Sequence, residues 1–181
     1  MIALAVISVG ALGYVTSQIS SLKNISNTMT RTLATLLIYD ITARMQANSA
    51  EFWQGPTSAY LGATPANANA SCYSTSGAYC TSTEMASNDL FEWKGLVGSS
   101  FPPAMNAVGF VCLEAVPGTA SLATVGCTNA AVANNPLTFT IKIYWQSVAG
   151  SGTYDQVQVG TVEAPMLRAS IYPLSNPIPN Q

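Results

Sequence analysis

The sequence of 181 residues contains no histidine and little charge of either sign. Without histidine it lacks the commonest general base, the catalytic triads that depend on it, and the commonest transition-metal ligand. Charged residues make up 8 % of the chain, and six basic against eight acidic side chains give a formal net charge of −2. Because no basic field is available to hold a phosphate backbone, we expect no nucleic-acid partner. The length suits one domain of ordinary size.

Motifs for catalysis and metal binding are also missing. The sequence has no glycine-rich phosphate loop. Glu84, Asp89 and Glu92 lie close together in sequence, but no Asp-rich calcium loop accompanies them. Ser20 and Lys23 match the letters of a Ser-x-x-Lys motif without the other elements that such enzymes carry. We therefore expect no enzymatic activity, no cofactor, no metal and no small-molecule substrate.

The N-terminal segment carries no charge from Met1 to Leu22, and residues 1–15 are almost wholly apolar. Such a run is typical of a membrane segment, although about 15 residues fall short of the roughly 20 that span a bilayer as a helix. We interpret it as a truncated membrane arm. The alternative, a secretory signal peptide, would carry a basic region before the run and a small-residue cleavage site after it. Gly10 and Gly13 weaken a helix, and in membrane helices they usually serve close packing.

Downstream of this arm, apolar residues continue to recur at steps of three to five, with polar and basic residues largely between them. No proline occurs before Pro56, and Asp40 with Arg44 forms an i,i+4 pair in the favourable order. The pattern predicts one helix from about residue 1 to about residue 50, roughly 75 Å long. The residues predicted to form its apolar face are Ile19, Leu22, Ile25, Met29, Leu33, Leu36, Ile41 and Met45.

From Trp53 the composition shifts to small and polar residues with glycine and proline, which is typical of a loop-rich connector. A second, shorter helix is predicted from Thr83, as its N-cap, to about Val97. The Pro102-Pro103 pair that follows would end it.

Strand-like runs follow at 108–116, 137–148 and 157–172, and together they predict a small antiparallel sheet. Alternation in the second run predicts one buried face and one wet face. Residues 150–152, Gly-Ser-Gly, would form the hairpin turn before the last run. The proline-rich tail from Pro173 is expected to be extended and mobile.

The four cysteines are Cys72, Cys80, Cys112 and Cys127. An even count beside an apparent membrane arm favours disulfides over metal, and neither spacing resembles a zinc site. Three pairings are possible, of which we favour Cys72 with Cys80 inside the connector and Cys112 with Cys127 beside the first strand. Free buried thiols are the alternative.

An apolar arm, an amphipathic continuation, a connector and a disulfide-bonded sheet, in that order, resemble the type IV pilins. Several segments are similar to minor pilins of the PilV type: 1–10 (MIALAVISVG), 36–48 (LLIYDITARMQAN), 80–94 (CTSTEMASNDLFEWK), then 111–112 (VC) and 141–145 (IKIYW). The resemblance implies an α+β pilin fold, in which a long N-terminal helix packs on a small antiparallel sheet and a second short helix lies in the connector.

The sequence departs from that family at its start, because a phenylalanine-led segment with glutamate at its fifth position is absent. Truncation by about six residues would explain this departure and would also restore an arm of bilayer length. The arm also lacks the helix-breaking proline that is common in major pilins.

The resemblance implies that residues 1–22 form a membrane anchor that later packs in a filament core, and that residues 23–181 form a periplasmic head. The chain would wait in the inner membrane and then enter an extracellular pilus at its tip. Its implied partners are other minor pilins, the major pilin and a tip adhesin. The residues expected to make filament-core contacts are Ile2, Leu4, Val6, Val9, Gly10, Leu12, Gly13 and Val15. Asp89, Glu92 and Lys94 are the candidate exposed partner surface, with a merely solvated helix face as the alternative.

Two other functions stay open at this point. One is a minor pseudopilin of a type II secretion system, and the second and third similar segments favour the pilus over it. The other is a membrane-tethered periplasmic binding module that never polymerises.

Overall fold

The computed structural model describes residues 2–62, 68, 72, 79–114, 121–123, 125–127, 138–147, 153–163 and 168–174, without the side chains of 2–9, 12, 161–163 and 168–174. The chain divides into two compact units, residues 1–33 and 34–181. The fold is α+β, with a long N-terminal helix, shorter helices and a small antiparallel sheet. At this level the predicted fold class is confirmed.

The predicted long helix is confirmed as α1, Ile2–Ala47. It is followed by a one-turn helix, α2, at Ser49–Phe52 and by 3₁₀ helices at Gly55–Thr57 and Ala59–Leu61. The connector helix, α3, spans Ser82–Ser100, and a further 3₁₀ turn lies at Pro103–Met105.

Helix α3 begins with a capping box, in which the cap side chain and the third helical residue satisfy each other's backbone N–H groups. The Glu84 N–H donates to the Thr81 hydroxyl at 3.2 Å, and the Thr81 N–H donates to the Glu84 carboxylate at 2.9 Å. The prediction of Thr83 as the N-cap is therefore wrong by two residues. The Thr83 hydroxyl instead donates to the buried carboxylate of Glu51 at 3.0 Å. The helix ends before Phe101, because a residue that precedes proline disfavours helical backbone.

The strands are β1, Val108–Leu113, β2, Thr138–Trp145, β3, Gln156–Glu163, and β4, Arg168–Leu174. All neighbouring pairs are antiparallel, in the order β1-β2-β3-β4.

The last predicted run, 157–172, is two strands rather than one, and Pro165, which has no N–H to donate, lies between them in sequence. Pro173 belongs to β4 and not to a free tail, because an edge strand tolerates a missing donor. Residues 175–181 and the predicted turn at 150–152 lie outside the described residues.

Strand β2 is buried along its whole length, so the predicted wet face is wrong. On one face, Phe139 packs on Phe52 with ring centroids 4.8 Å apart, and Ile141 pairs with Gly160, above which Ile38 of α1 lies. The other face carries Tyr144, whose cluster with β3 is covered in part by Leu122 and Val125. We call the described part of this second cover, residues 121–123 and 125–127, the strap. Because both faces of β2 are covered, the alternating polarity of its sequence does not produce a wet face.

Gly109 of β1 lies directly beneath the Trp93 ring, and a Cβ built there would lie 2.6 Å from the nearest ring carbon. Because neither the ring nor the strand can retreat without disturbing the core, Gly109→Ala should lower the free energy of unfolding by about 1–3 kcal/mol. Gly95→Ala is the matched control, since a Cβ at that helical position meets no atom within 4 Å. It should raise stability by about 0.4–1 kcal/mol. Urea titration of both variants tests these two predictions. Equal changes in the free energy of unfolding would contradict the packing of Trp93 on Gly109.

Candidate functional site

The first unit presents an apolar stripe on α1, which we define as Val15, Ile19, Leu22, Ile25 and Met29. These residues follow one another at steps of three or four, which places them on one face of a helix. Their exposed fractions lie between 49 % and 74 %. Contiguous exposed apolar surface of this kind marks sites that contact lipid or other proteins.

Four threonine hydroxyls along the same helix are satisfied within it. The hydroxyls of Thr16, Thr28, Thr30 and Thr32 each donate to a backbone carbonyl three or four residues earlier, at 2.9–3.0 Å. Residues 1–33 contain two cations, Lys23 and Arg31, and no acid. These four hydroxyls therefore need no bond from water, which suits them to surroundings of low polarity.

The predicted core-contact residues fall partly outside what the structure describes, since the side chains of Ile2, Leu4, Val6, Val9 and Leu12 are not described. Gly10, Gly13 and Val15 are all exposed. Across the described part of the chain, no helix contains a stretch long and apolar enough to cross a membrane. The membrane anchor expected at 1–22 and the filament contacts stay predictions.

Within the second unit, residues 34–47 of α1 pack on the sheet, and the buried face differs from the predicted apolar face at position 36. Leu37 and Ile38 are buried, whereas Leu36 is 60 % exposed, so its predicted place on the buried face is wrong. Ile41 and Met45 are buried as predicted. The reason is that 36, 37 and 38 are all apolar, and periodicity alone does not say which of them faces the sheet.

Arg44 joins α1 to α3 through a cluster of carboxylates. Its guanidinium contacts Asp40 at 3.2 Å, as the i,i+4 spacing predicts, and also Asp89 at 3.2 Å and Glu92 at 2.6 Å. The Tyr60 hydroxyl donates to Asp89 at 2.8 Å. Burial by itself lowers the pKa of Arg44, but the Glu92 hydrogen bond and the Asp40 and Asp89 carboxylates raise it on balance.

The expected exposure of Asp89, Glu92 and Lys94 is wrong. Asp89 has a side chain only 13 % exposed, because it serves the Arg44 cluster, and Glu92 is half-buried for the same reason. Lys94 is also half-buried, 6.0 Å from the Phe110 ring centroid, and burial lowers the pKa of its ammonium. In the described ranges, no three acidic or cysteine side chains are grouped as a metal site.

Tyr60 should make stability sensitive to alkaline pH. Burial raises the pKa of Tyr60, and the hydrogen bond to Asp89 raises it further. An unfolded tyrosine ionises near pH 10, where folded Tyr60 keeps its proton. The contribution of protonated Tyr60 to the free energy of unfolding is therefore complete below about pH 10. It is lost as pH rises above that value, by up to about 1.4 kcal/mol per pH unit.

The variant Tyr60→Phe should consequently flatten the decline in unfolding free energy above about pH 10. Urea titrations from neutral to alkaline pH measure the slope, with Tyr79→Phe as the matched control, because the Tyr79 side chain is 93 % exposed. An unchanged slope in Tyr60→Phe would contradict the assignment.

A second ion pair, Lys142 with Glu114, lies beneath the strap. The Lys142 ammonium donates to Glu114 Oε1 at 2.5 Å and to the Gly126 carbonyl at 3.3 Å, and both charged side chains are 1 % exposed. This pair was not predicted from the sequence, because lysine at an alternate position of a strand is typical of a wet face. Glu114, directly after β1, was likewise not distinguished from a surface residue.

The cysteines form the two favoured disulfides, Cys72–Cys80 and Cys112–Cys127, with Cα atoms 4.8 Å and 5.3 Å apart. Cys127 follows Gly126, so the second disulfide ties the strap to β1 beside the Lys142 ion pair. Because it closes a loop of about 15 residues, the chain-entropy estimate of its stabilisation is about 3 kcal/mol.

Comparison of the chain with protein-family models, with curated proteins and with solved structures finds no match.

Proposed function

We propose that this chain is a minor pilin of a type IV pilus, similar to the PilV type, that helps to start assembly within a tip complex carrying an adhesin. The observation that carries the proposal is the apolar stripe of the first unit. Five apolar side chains, each about half exposed or more, follow a helical face. Surface of this kind is stable against lipid or against other helices, and a pilin encounters both.

The transfer from membrane to filament costs little under this proposal. Lipid tails and apolar side chains are about equally apolar, so exchanging one neighbour for the other leaves the hydrophobic term nearly unchanged. Packing and the few polar contacts then decide which neighbour is preferred. The threonine hydroxyls do not oppose the exchange, because they are bonded to carbonyls of their own helix.

The second unit suits a head that functions outside the cytoplasm. Disulfides persist in the periplasm and at cell surfaces and are rare in reducing compartments. Two of them close loops in a unit whose core includes a small antiparallel sheet. A head stabilised in this way can be presented at a filament surface.

The stripe can be tested separately from the head. In a strain that lacks the native copy but still retracts pili, a variant with Leu22→Gln, Ile25→Gln and Met29→Gln should fail to restore piliation. The substituted side chains are exposed in the first unit, so the second unit should unfold at the same urea concentration as before. Pili are counted by electron microscopy, and the native chain serves as the positive control.

The matched control carries Ser21→Gln, Asn24→Gln and Asn27→Gln, which change exposed polar positions on the same turns of α1. It should restore pili to the native level. Equal piliation with the stripe variant and the control would contradict the proposal. Normal piliation without the chain, together with impaired protein secretion, would instead favour a type II secretion pseudopilin.

A further inference from the structure

A pocket of about 600 Å³ opens in the second unit where the end of α3, the Pro103–Met105 turn, the start of β1 and the segments just after β2 and just before β3 meet. Its lining includes Gly98, Pro102, Asn106, Val108, Gln146 and Tyr154. Pockets that take small ligands usually measure roughly 300–1,000 Å³. The volume therefore suits a compact molecule rather than a folded partner.

Among the described residues, the lining offers polar groups but no ionic charge. It contains two carboxamides and one phenol, and none of the described residues that line it is Asp, Glu, Lys or Arg. A charged ligand would lose hydration there without gaining a counter-charge, which is unfavourable. An apolar ligand would cover the carboxamides without offering them a hydrogen bond. A neutral ligand rich in hydroxyl groups avoids both costs.

The two carboxamides are held in place. Asn106 Nδ2 donates to Gln146 Oε1 at 3.2 Å, and the Gln146 backbone N–H donates to the Met105 carbonyl at 2.8 Å. The Gln146 side chain is buried. Each carboxamide offers two donors and an oxygen with two acceptor positions, so their one mutual bond uses only part of this capacity. Hydroxyl groups, which both donate and accept hydrogen bonds, match the remaining donors and acceptors of the two carboxamides.

The walls of the pocket are similarly fixed. Asn106 adopts a left-handed backbone with φ 45°, a conformation that non-glycine residues adopt at some cost and that occurs frequently in ligand sites. The Tyr154 ring meets Tyr144 edge to face, with centroids 6.1 Å apart, which restrains its orientation. Pro102 and Tyr154 together supply rigid apolar surface for the C–H groups of a ligand ring.

We propose that this pocket is a binding site for a neutral saccharide of one or two rings. The Asn106 and Gln146 carboxamides would bond its hydroxyls, and the tyrosine and proline rings would pack on its C–H faces. The proposal goes beyond pilus assembly and does not depend on it.

Saturation-transfer NMR on the full chain in phosphocholine micelles tests the site. This detergent is chosen because its headgroup carries no sugar. The probes are methyl α-glucoside, methyl α-galactoside and maltose, with glucose 6-phosphate and N-acetylneuraminic acid as charged counterparts. At least one neutral sugar should bind with a Kd of about 1 mM, and the charged sugars should bind more weakly. Asn106→Gly, which keeps the left-handed backbone but removes a carboxamide, and Tyr154→Ala, which removes the ring that packs on the sugar, should each weaken binding about fivefold or more.

Tyr79→Ala is the same change at an exposed tyrosine and should leave the affinity for sugar unchanged. Urea titration of Asn106→Gly and of Tyr154→Ala establishes that both variants are folded. The proposal is overturned if no neutral sugar gives a signal at about ten times the expected Kd, or if charged sugars bind as tightly. It is equally overturned if both pocket variants bind sugar like the native chain.

Discussion

Replacing Trp93 by alanine is expected to lower the free energy of unfolding by about 3–5 kcal/mol, measured by urea titration of the full chain. The Trp93 side chain is completely buried. Its indole N–H donates to the Leu37 carbonyl at 2.8 Å, and its ring covers Gly109 of β1. One side chain of α3 therefore contacts both α1 and the sheet, and its loss leaves a cavity where these elements meet.

Two further variants separate the causes of that effect. Trp93→Phe keeps an aromatic ring and removes the indole N–H, so we expect an intermediate loss of about 1–3 kcal/mol. Trp53→Ala is the matched control, because the Trp53 side chain is 53 % exposed, and it should cost much less. Equal losses at Trp53 and Trp93 would contradict the described core.

The second large effect is expected at the buried ion pair. Lys142→Met should destabilise the second unit by about 3–5 kcal/mol, because it leaves the Glu114 carboxylate buried without its cation. The double variant Lys142→Met with Glu114→Leu removes both charges and should recover most of the loss. Urea titration of the single and double variants gives the coupling between the two positions.

Lys23→Met serves as the control for loss of a lysine charge, since Lys23 is exposed on α1 and its removal should change stability by less than about 0.5 kcal/mol. If the double variant is no more stable than Lys142→Met alone, the loss does not come from removing the cation beside the Glu114 carboxylate, and this description of the pair is wrong.

Local patterns in the sequence were sufficient to predict the main helices and strands and some contacts within them. The absence of proline before Pro56 and the apolar spacing predicted α1, and the i,i+4 spacing predicted the Asp40–Arg44 pair. Period-two alternation located β2 to within a few residues. Each of these signals arises among residues close together in the chain, where backbone geometry fixes which side chains are neighbours.

Contacts between distant segments were not predictable in the same way. Arg44 meets Asp89 and Glu92 across separations of 45 and 48 residues, so no spacing rule links them. Those two acids were consequently assigned to an exposed face. The strap over Lys142 was not predicted for a related reason. It is short and lacks the periodicity of a strand or a helix. What covers a sheet face is decided by tertiary packing, and alternation in β2 describes only the strand itself.

The neutral pocket is a third feature of this kind. Asn106 and Gln146 are separated by 40 residues and meet only because the Pro103–Met105 turn lies beside the end of β2. The sequence signal available beforehand was the Pro102-Pro103 pair, which indicates the end of α3 and nothing about a ligand.

The most direct test of assembly is to shear filaments from cells, purify them and probe them by immunoblot for this chain and for the major subunit. Our proposal predicts that the chain is present in the sheared filaments at a level far below the major subunit, as a component confined to the tip would be. Its absence from the filaments, with the protein still detected in the cell envelope, would contradict the proposal.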